Sequence, residues 1–187
     1  MIALATTNVG KARELARLLA VPVEPVDGWD PPEEDGETFV DNALLKARAA
    51  RAQVPAPATV VADDSGLEVD ALGGEPGVRS ARFGGEGLDD AGRVQHLLRR
   101  LGDASDRGAR FVCVLVAIAP DGRETVVRGT LEGHIAASPR GDGGFGYDPV
   151  FVPEGETRTV AELAPEEKDA ISHRGRAARA LVAALGE

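Results

Sequence analysis

Two adjacent carboxylates, Asp63 and Asp64, directly follow the apolar residues 59–62. We expect residues 59–62 to form a buried strand, and open α/β sheets usually bind ligands at the carboxyl ends of their strands. Carboxylates there suit Mg²⁺, which takes one or two of them together with phosphate oxygens and water. Because neighbouring strand residues face opposite ways, only one aspartate can readily point towards a given ligand. A turn in which Asp63 and Ser65 satisfy backbone donors explains the same pattern.

A second candidate site lies between the first predicted strand and the first predicted helix. Its residues are Thr6, Thr7, Asn8, Val9, Gly10 and Lys11. Backbone N–H groups at a helix start attract anions, and a lysine in the first turn adds a full charge, so the segment could cradle a phosphate. It lacks the G-x-x-x-x-G-K-[ST] pattern of a Walker loop. An ordinary capped helix start explains it equally well.

The third candidate is the glycine-rich stretch 143–149, which we term the aromatic loop. Only 4% of the chain is aromatic, yet Phe145 and Tyr147 both fall in this loop, on either side of Gly146. A ring flanked by glycines can lie flat against a planar base. The neighbouring Asp148 can hydrogen-bond the edge of that base. A hairpin loop that packs its aromatic side chains inward is the alternative.

Basic residues also gather near the carboxyl terminus, at Lys168, His173 and Arg174. Cationic side chains are poorly placed at the start of a helix, where the helix dipole is positive. An anionic or carbonyl-rich partner would explain them, and so would a solvated first turn.

The distribution of lysine supports these candidate sites. The chain has 21 basic residues, but the only lysines are Lys11, Lys46 and Lys168. A lysine is a compact point charge and an arginine is a flat fork, so the two are not interchangeable at a binding site. In a chain that otherwise uses arginine, a retained lysine indicates a site that needs the smaller cation.

Composition limits the classes of function. A net charge of −10 disfavours a nucleic-acid groove, because such a surface repels a polyphosphate backbone. The longest strongly apolar run, residues 111–119, is far shorter than the roughly 20 residues of a membrane helix. The amino-terminal residues show no secretory signal, and Cys113 lies in an apolar run typical of a buried thiol. We expect a soluble cytoplasmic protein with no membrane or nucleic-acid partner.

The hydrophobic pattern predicts alternating strands and helices. Helices are expected over residues 11–20, 38–53, 89–102 and 171–186, the second with a capping box at Thr38 and Asp41 and the last capped by Ser172. Strands are expected over 2–5, at an edge over 21–26, and up to the carboxylates at 63–64, with a long hairpin over 109–136. Residues 27–37 form a mostly solvated stretch, termed here the acidic loop. Together these elements favour an α/β layered fold with a mixed sheet.

Several segments, in this order, resemble the inosine/xanthosine triphosphate pyrophosphatase family. They are TTNVGK, ETFVDNALLKA, ADDSGLEVDALGGEPGVRSARFGG, GGFGYDPVF with TVAEL, and EEKDAISHRGRA, and they span residues 6–177. The resemblance implies a single nucleotide pyrophosphatase domain over residues 1–187, layered α/β/α on a long mixed sheet. It also implies two lobes around a substrate cleft, a homodimer, and an Mg²⁺-bound purine nucleoside triphosphate.

The resemblance also implies a role for each matching residue. Residues 6–11 hold the triphosphate, with Lys46 adding charge there. Asp64 is the proton acceptor and a metal ligand, and Glu34 of the acidic loop completes the metal site. Ser65 contacts substrate. The residues that enclose the base are Phe145, Gly146, Tyr147, Asp148, Lys168, His173 and Arg174.

The implied reaction converts ITP, dITP or XTP to the nucleoside monophosphate and pyrophosphate. We expect water to attack the α-phosphorus, with Asp64 ionised at its ordinary pKa of ~4 and acting as the base. Donors that reach the 6-oxo group would reject adenine, whose 6-amino group leaves them unpaired. Two alternatives remain open: a pyrophosphatase for other modified nucleotides, and a nucleotide sensor without turnover.

Overall fold

The computed structural model describes residues 1–186. Within them the strands are β1 (Ile2–Ala5), β2 (Val23–Pro25), β3 (Thr59–Val69), β4 (Gly108–Ile118), β5 (Glu124–Ile135) and β6 (Phe151–Pro153). The α-helices are α1 (Val9–Leu18), α2 (Phe39–Gln53), α3 (Asp90–Leu101), α4 (Pro165–Ile171) and α5 (His173–Leu185). Short 3₁₀ turns, among them Gly77–Arg82 and Asp148–Val150, connect several of these elements.

The strands form one mixed sheet in the order β2-β1-β3-β4-β5-β6. β1 pairs in parallel with β2 and with β3, whereas β5 and β6 are antiparallel. The predicted α/β fold with a mixed sheet is therefore confirmed. The proline-containing β2 lies at one end of the sheet, as expected, because proline cannot donate to a second neighbouring strand.

The chain divides into two compact units. The first contains residues 1–65, 113–129 and 173 onwards, and the second contains residues 66–112 and 130–172. The strands β3, β4 and β5 each contribute residues to both units. The two-lobed arrangement around a cleft stays a prediction.

Helices cover both faces of the sheet in the first unit. Leu15 of α1 and Leu181 of α5 are fully buried and pack in one cluster with Val61 of β3. Side chains alternate along a strand, so Asp64 of β3 faces the opposite side of the sheet from Val61. On that side Asp64 accepts a hydrogen bond from Lys46 of α2. Each fully buried leucine stabilises this layered arrangement by roughly 2 kcal/mol.

The second unit has its own core around α3. Leu97 of α3 is fully buried, and the rings of Phe111 and Phe151 pack with their centroids 4.5 Å apart. Asp89 caps the start of α3 by accepting a hydrogen bond from the N–H of Gly92. The helix ends at Gly102, which has a φ of 50°. The predicted helix closed by glycine is confirmed.

One predicted boundary is wrong, and one helix was not predicted. β3 does not end at the carboxylates but continues to Val69, although Ser65 and Gly66 are typical turn residues. Its parallel pairing with β1 does end at Ala62, so Asp63 still begins the segment beyond that parallel ladder. The carboxyl-terminal helix is preceded by a separate helix, α4, because Ser172 between them is extended, with a ψ of 154°.

Two expectations about composition can also be compared with the structure. Cys113 is fully buried in β4, and burial raises the pKa of its thiol to about 12, which confirms a structural cysteine. Among residues 1–186 there is no helix long and apolar enough to cross a membrane.

Candidate active site

The loop between β1 and α1 starts its helix with a side-chain cap. Asn8 Oδ1 accepts a hydrogen bond from the N–H of Lys11 at 3.0 Å, and Thr6 Oγ1 accepts one from the N–H of Asn8 at 3.2 Å. The loop is exposed at Thr7, Asn8 and Val9 and half-buried at Thr6, Gly10 and Lys11. The capped-start interpretation is thus correct. Other first-turn N–H groups have no partner within a helix, so phosphate binding here stays a prediction.

Asp63 lies where three elements of the first unit meet. Its Oδ2 is 2.8 Å from Lys11 Nζ of α1 and accepts a hydrogen bond from Ser65 Oγ at 3.1 Å. Ser65 Oγ in turn accepts one from Arg174 Nη2 of α5 at 3.0 Å. Asp63 and Ser65 share a strand face because they are two residues apart. The structure therefore brings Lys11, Ser65 and Arg174 together around a carboxylate that the resemblance assigned no role.

The charge of Asp63 is stabilised in this position. Burial opposes ionisation, since the side chain is only 2% exposed. The charges of Lys11, Lys46 and Arg174 outweigh that effect and lower the pKa of Asp63 well below its usual range. Asp63 is therefore a permanent anion that holds Lys11 in place.

Glu14 is a residue that the sequence did not single out. It occupies α1 beside Leu15, is 6% exposed, and forms an ion pair with Arg174. Arg174 is itself buried, and so is His173, whose carbonyl would clash with a Cβ placed on Gly129. Glu14 lies one helical turn after Lys11. Its neighbours at helical spacing include Lys11 and Arg17, a pattern typical of a solvated helix face, so no signal in the sequence indicated its burial.

Asp64 lies on the other face of β3 and meets the charges of α2. Its Oδ1 is 3.1 Å from Lys46 Nζ, and Glu34 Oε1 of the acidic loop is 2.9 Å from the same nitrogen. One ammonium thus joins the two carboxylates that the resemblance implies as metal ligands. The second oxygen of Asp64, Oδ2, is buried and has no hydrogen-bond partner among residues 1–186.

The protonation behaviour of Asp64 differs from the sequence-based expectation. Burial raises the pKa of the Asp64 carboxyl. The positive charges of Lys46 and Lys11 lower this pKa, but the negative charges of Glu34 and Asp63 raise it, so the net shift is upward. The expectation of an ordinary value was wrong, since a sequence does not reveal how deeply a strand residue is buried. A raised pKa makes Asp64 a stronger base than an exposed aspartate.

The residues around Asp64 fit a divalent cation. Asp64 and Glu34 converge on one point, and the unpartnered Oδ2 of Asp64 has acceptor capacity that the protein leaves unused. Among residues 1–186, no group of three or more His, Cys, Asp or Glu side chains could hold a metal ion. That is compatible with Mg²⁺, which usually takes one or two carboxylates and fills its remaining positions with water and phosphate.

A second group of predicted residues lies in the second unit, at the aromatic loop. Asp148 Oδ2 accepts hydrogen bonds from Lys168 Nζ at 2.7 Å and from the N–H of Phe145 at 2.9 Å. Lys168 Nζ lies 4.9 Å from the centroid of the Phe145 ring, which is half-buried. Gly144 has a φ of +69°, and a Cβ there would come within 2.0 Å of Asp148 Oδ2. The loop can therefore wrap its carboxylate only with glycine at this position.

Two further contacts fix the aromatic loop to the rest of its unit. The hydroxyl of Tyr147 is buried and donates to the carbonyl of Ser80 at 2.7 Å. The N–H of Gly146 donates to Asp90 Oδ2, at the start of α3, at 2.7 Å. Tyr147 therefore packs inward, as the alternative interpretation of this loop proposed, whereas the Phe145 ring remains half-open to solvent.

Each of the three lysines contacts a buried aspartate. Lys11 pairs with Asp63, Lys46 with Asp64 and Lys168 with Asp148. The lysine side chains are 16%, 8% and 7% exposed, so all three charges are largely withdrawn from bulk water. The scarcity of lysine thus pointed to three special electrostatic environments.

Comparison with known proteins decides the family. Residues 2–184 match the sequence profile of the Ham1 family. The chain belongs to this family. A Ham1-family relative from Symbiobacterium thermophilum, named dITP/XTP pyrophosphatase, is 54% identical over 94% of this chain and 90% of its own length. A relative of the same name from Streptomyces coelicolor is 50% identical over 98% of this chain and 96% of its own length.

Solved structures agree with this assignment. The Ham1 protein of Staphylococcus aureus superposes with a TM-score of 0.87 and is 42% identical, covering 99% of this chain and 97% of its own. The family resemblance and the fold class drawn from the sequence are therefore confirmed. The role of each site residue stays a prediction.

Proposed function

We propose that this Ham1-family chain hydrolyses non-standard purine nucleoside triphosphates, namely ITP, dITP and XTP, to the monophosphate and pyrophosphate. Relatives about half identical along nearly the whole chain are named dITP/XTP pyrophosphatases. The structural observation that carries the proposal is Asp64, a buried carboxylate with a raised pKa and one oxygen without a partner. A binding protein has no need for such a group, so an enzyme is favoured over a sensor.

Asp64 Oδ2 is the atom that would accept the proton of the attacking water. Its buried position raises the pKa of the carboxyl and makes the carboxylate more basic, while the ammonium of Lys46 at 3.1 Å favours the ionised form. Water oriented by Oδ2 would attack the α-phosphorus, and pyrophosphate would leave.

A divalent cation, which we propose to be Mg²⁺, would be held by Asp64 and Glu34. When bound, it would neutralise the triphosphate charge that repels an attacking oxygen. Lys46 contacts both carboxylates. Burial lowers the pKa of its ammonium group, but the negative charges of the neighbouring carboxylates outweigh this effect and raise it. It therefore remains a full cation that can share this neutralisation.

The phosphate chain would bind at the start of α1. The helix dipole and the N–H groups of the first turn favour an anion there, and Lys11 adds its ammonium. Asp63 holds that ammonium at 2.8 Å, so the charge is fixed before substrate arrives. The loop of this binding segment would be supplied by the exposed residues Thr7, Asn8 and Val9 and by the half-buried Thr6 and Gly10.

Base selection would depend on residues whose positions are already fixed by charge. Lys168 and Phe145 are tied to Asp148, and Arg174 is tied to Glu14 and Ser65. Donors held in this way would suit the 6-oxo group of a purine. A 6-amino group would leave them unpaired, at a cost of about 1–3 kcal/mol for each donor. His173 is buried beside Arg174 and belongs to the same proposal.

The homodimer and the cytoplasmic location implied by the resemblance are also part of this proposal. Sedimentation at micromolar concentration tests the dimer, and fractionation of the source cells tests the location.

Pyrophosphate release across a panel of nucleotides tests the proposed function. ITP, dITP and XTP should each yield pyrophosphate in the presence of Mg²⁺ at rates at least ~10²-fold above ATP, whose 6-amino group leaves the donors of the base site unpaired. Rates on ATP and GTP that equal the rates on ITP, dITP and XTP would contradict the proposal. Preference for modified pyrimidine nucleotides or methylated guanine nucleotides would favour the alternative substrate class instead.

A further inference from the structure

The acidic loop, residues 27–37, needs a device to hold Glu34 in place. It joins β2 to α2, and residues 29–36 adopt neither helix nor strand. A loop without a ladder of backbone hydrogen bonds relies on individual contacts for its position. Glu34 is 30% exposed at its side chain, so packing alone does not fix it.

Asn42 provides such a contact from the first turn of α2. Its side chain is completely buried, and its Oδ1 accepts a hydrogen bond from the N–H of Gly36 at 2.8 Å. Lys46, which pairs with Glu34, follows Asn42 by four residues and so lies one turn further along the same helix face. The loop is thus attached to α2 at two consecutive turns.

Gly36 allows the loop to approach the helix this closely. A Cβ at position 36 would come within 2.6 Å of Asn42 Oδ1 and 2.7 Å of Asp41 Cβ. Both distances are shorter than a van der Waals contact between heavy atoms, so any residue larger than glycine would push the loop away from α2. The two prolines Pro31 and Pro32 limit how far the preceding residues can adjust.

The buried amide of Asn42 is retained at a cost. Its Nδ2 has no hydrogen-bond partner in the part of the chain that the structure describes, and leaving a buried donor unpaired is unfavourable by about 1–3 kcal/mol. A leucine, which is branched at Cγ like asparagine, would avoid that cost but would lose the acceptor for Gly36. The chain therefore keeps the acceptor at the expense of stability, which is expected where the contact serves the site.

We propose that Asn42 and Gly36 form a clasp that positions Glu34 for the divalent cation. Neither residue contacts the reacting atoms, so both are positioning residues. The inference rests on the proposed function in taking Asp64 and Glu34 as the cation ligands. Loss of the clasp should weaken the response to the cation while leaving the chemical step at saturating cation largely intact.

The test compares Asn42→Leu, Gly36→Ala, the double variant, and Leu45→Ala as a control on the exposed side of the same helix. Pyrophosphate release from dITP is measured over a series of Mg²⁺ concentrations. Each clasp variant should raise the half-activating Mg²⁺ concentration at least about tenfold, with kcat at saturation within about threefold of wild type. The double variant should match the single ones, because each removes the same contact. Leu45→Ala should behave as wild type.

Acrylamide quenching of tryptophan fluorescence gives a readout that is independent of activity. Trp29, the chain's only tryptophan, lies in the acidic loop. Both clasp variants should make Trp29 at least about twofold more quenchable, while circular dichroism stays unchanged. Unaltered quenching, or a fall in kcat without a change in Mg²⁺ requirement, would overturn the proposal. A wild-type protein that releases no pyrophosphate would instead refute the proposed function, and the quenching result would still decide whether the clasp exists.

Discussion

Asp63→Asn and Asp64→Asn make the same small chemical change at neighbouring positions of β3, and we expect a large loss of stability only from Asp63→Asn. A group whose pKa is lowered by folding stabilises the native state above its unfolded pKa of ~4. Asp63 is of this kind, because Lys11, Lys46 and Arg174 outweigh the effect of its burial. Asp64 has a raised pKa, so its ionised form costs stability over the same pH range.

The magnitudes follow from the partners that each aspartate would leave behind. Breaking a buried ion pair usually costs 3–5 kcal/mol. The cost for Asp63→Asn should be near the lower end, about 3 kcal/mol, because Lys11 is 16% exposed and Arg174 keeps Glu14. Asp64→Asn leaves Lys46 paired with Glu34 and removes a carboxylate that burial disfavours. Its free energy of unfolding should change by less than about 1 kcal/mol, or rise.

Thermal and urea unfolding at pH 7 measure stability, and pyrophosphate release measures activity. Asp63→Asn should lower the melting temperature by roughly 6–12 °C and raise KM, because Lys11 loses the carboxylate that fixes it. Asp64→Asn should lower kcat by at least ~10² while the protein remains as stable as wild type. If the two variants lose the same free energy of unfolding, or if Asp64→Asn loses more, the electrostatic reasoning is refuted.

Three further predictions concern single residues. Lys11→Arg should reduce kcat/KM at least about tenfold, because a planar guanidinium cannot replace the ammonium held at 2.8 Å from Asp63. Wild-type kinetics would show that the scarcity of lysine in this chain does not indicate a need for the smaller cation. Glu14→Gln should destabilise the protein by about 3 kcal/mol in urea, because Arg174 stays buried with one counter-charge fewer; an unchanged midpoint would contradict this. Cys113, with its pKa raised to about 12, should resist iodoacetamide at pH 8.5 and react fully in urea, and its contribution to stability should decline only as the pH rises from ~9 towards 12; rapid native alkylation would contradict it.

Much of the fold could be predicted because it depends on local pattern. The periodicity of α2 and its capping box at Thr38 and Asp41 are present in the structure, with Asp41 N–H donating to Thr38 Oγ1 at 3.1 Å. The hairpin strands, the edge strand and the glycine that ends α3 follow from equally local signals. The end of β3 was wrong because pairing with neighbouring strands overrode the turn preference of Ser65 and Gly66.

The candidate site could be predicted only as a set of separate motifs. Arg174 and Glu14 are 160 residues apart in sequence, and no spacing rule connects them. Asn42 carries no chemistry of its own, and its part depends on how closely the backbone of Gly36 approaches α2. The raised pKa of Asp64 likewise depends on burial, which arises from the packing of the folded chain, including that of α2 against β1. Motifs indicate residue types, whereas their partners and electrostatics require the folded chain.

Hydrolysis of dITP in ¹⁸O-labelled water, followed by phosphorus NMR of the products, tests the central claim most directly. The chain should produce dIMP and pyrophosphate in equal amounts in the presence of Mg²⁺. The label should appear in dIMP alone, because water oriented by Asp64 attacks the α-phosphorus. Orthophosphate as the first product, or label in the pyrophosphate, would contradict the mechanism proposed for this site.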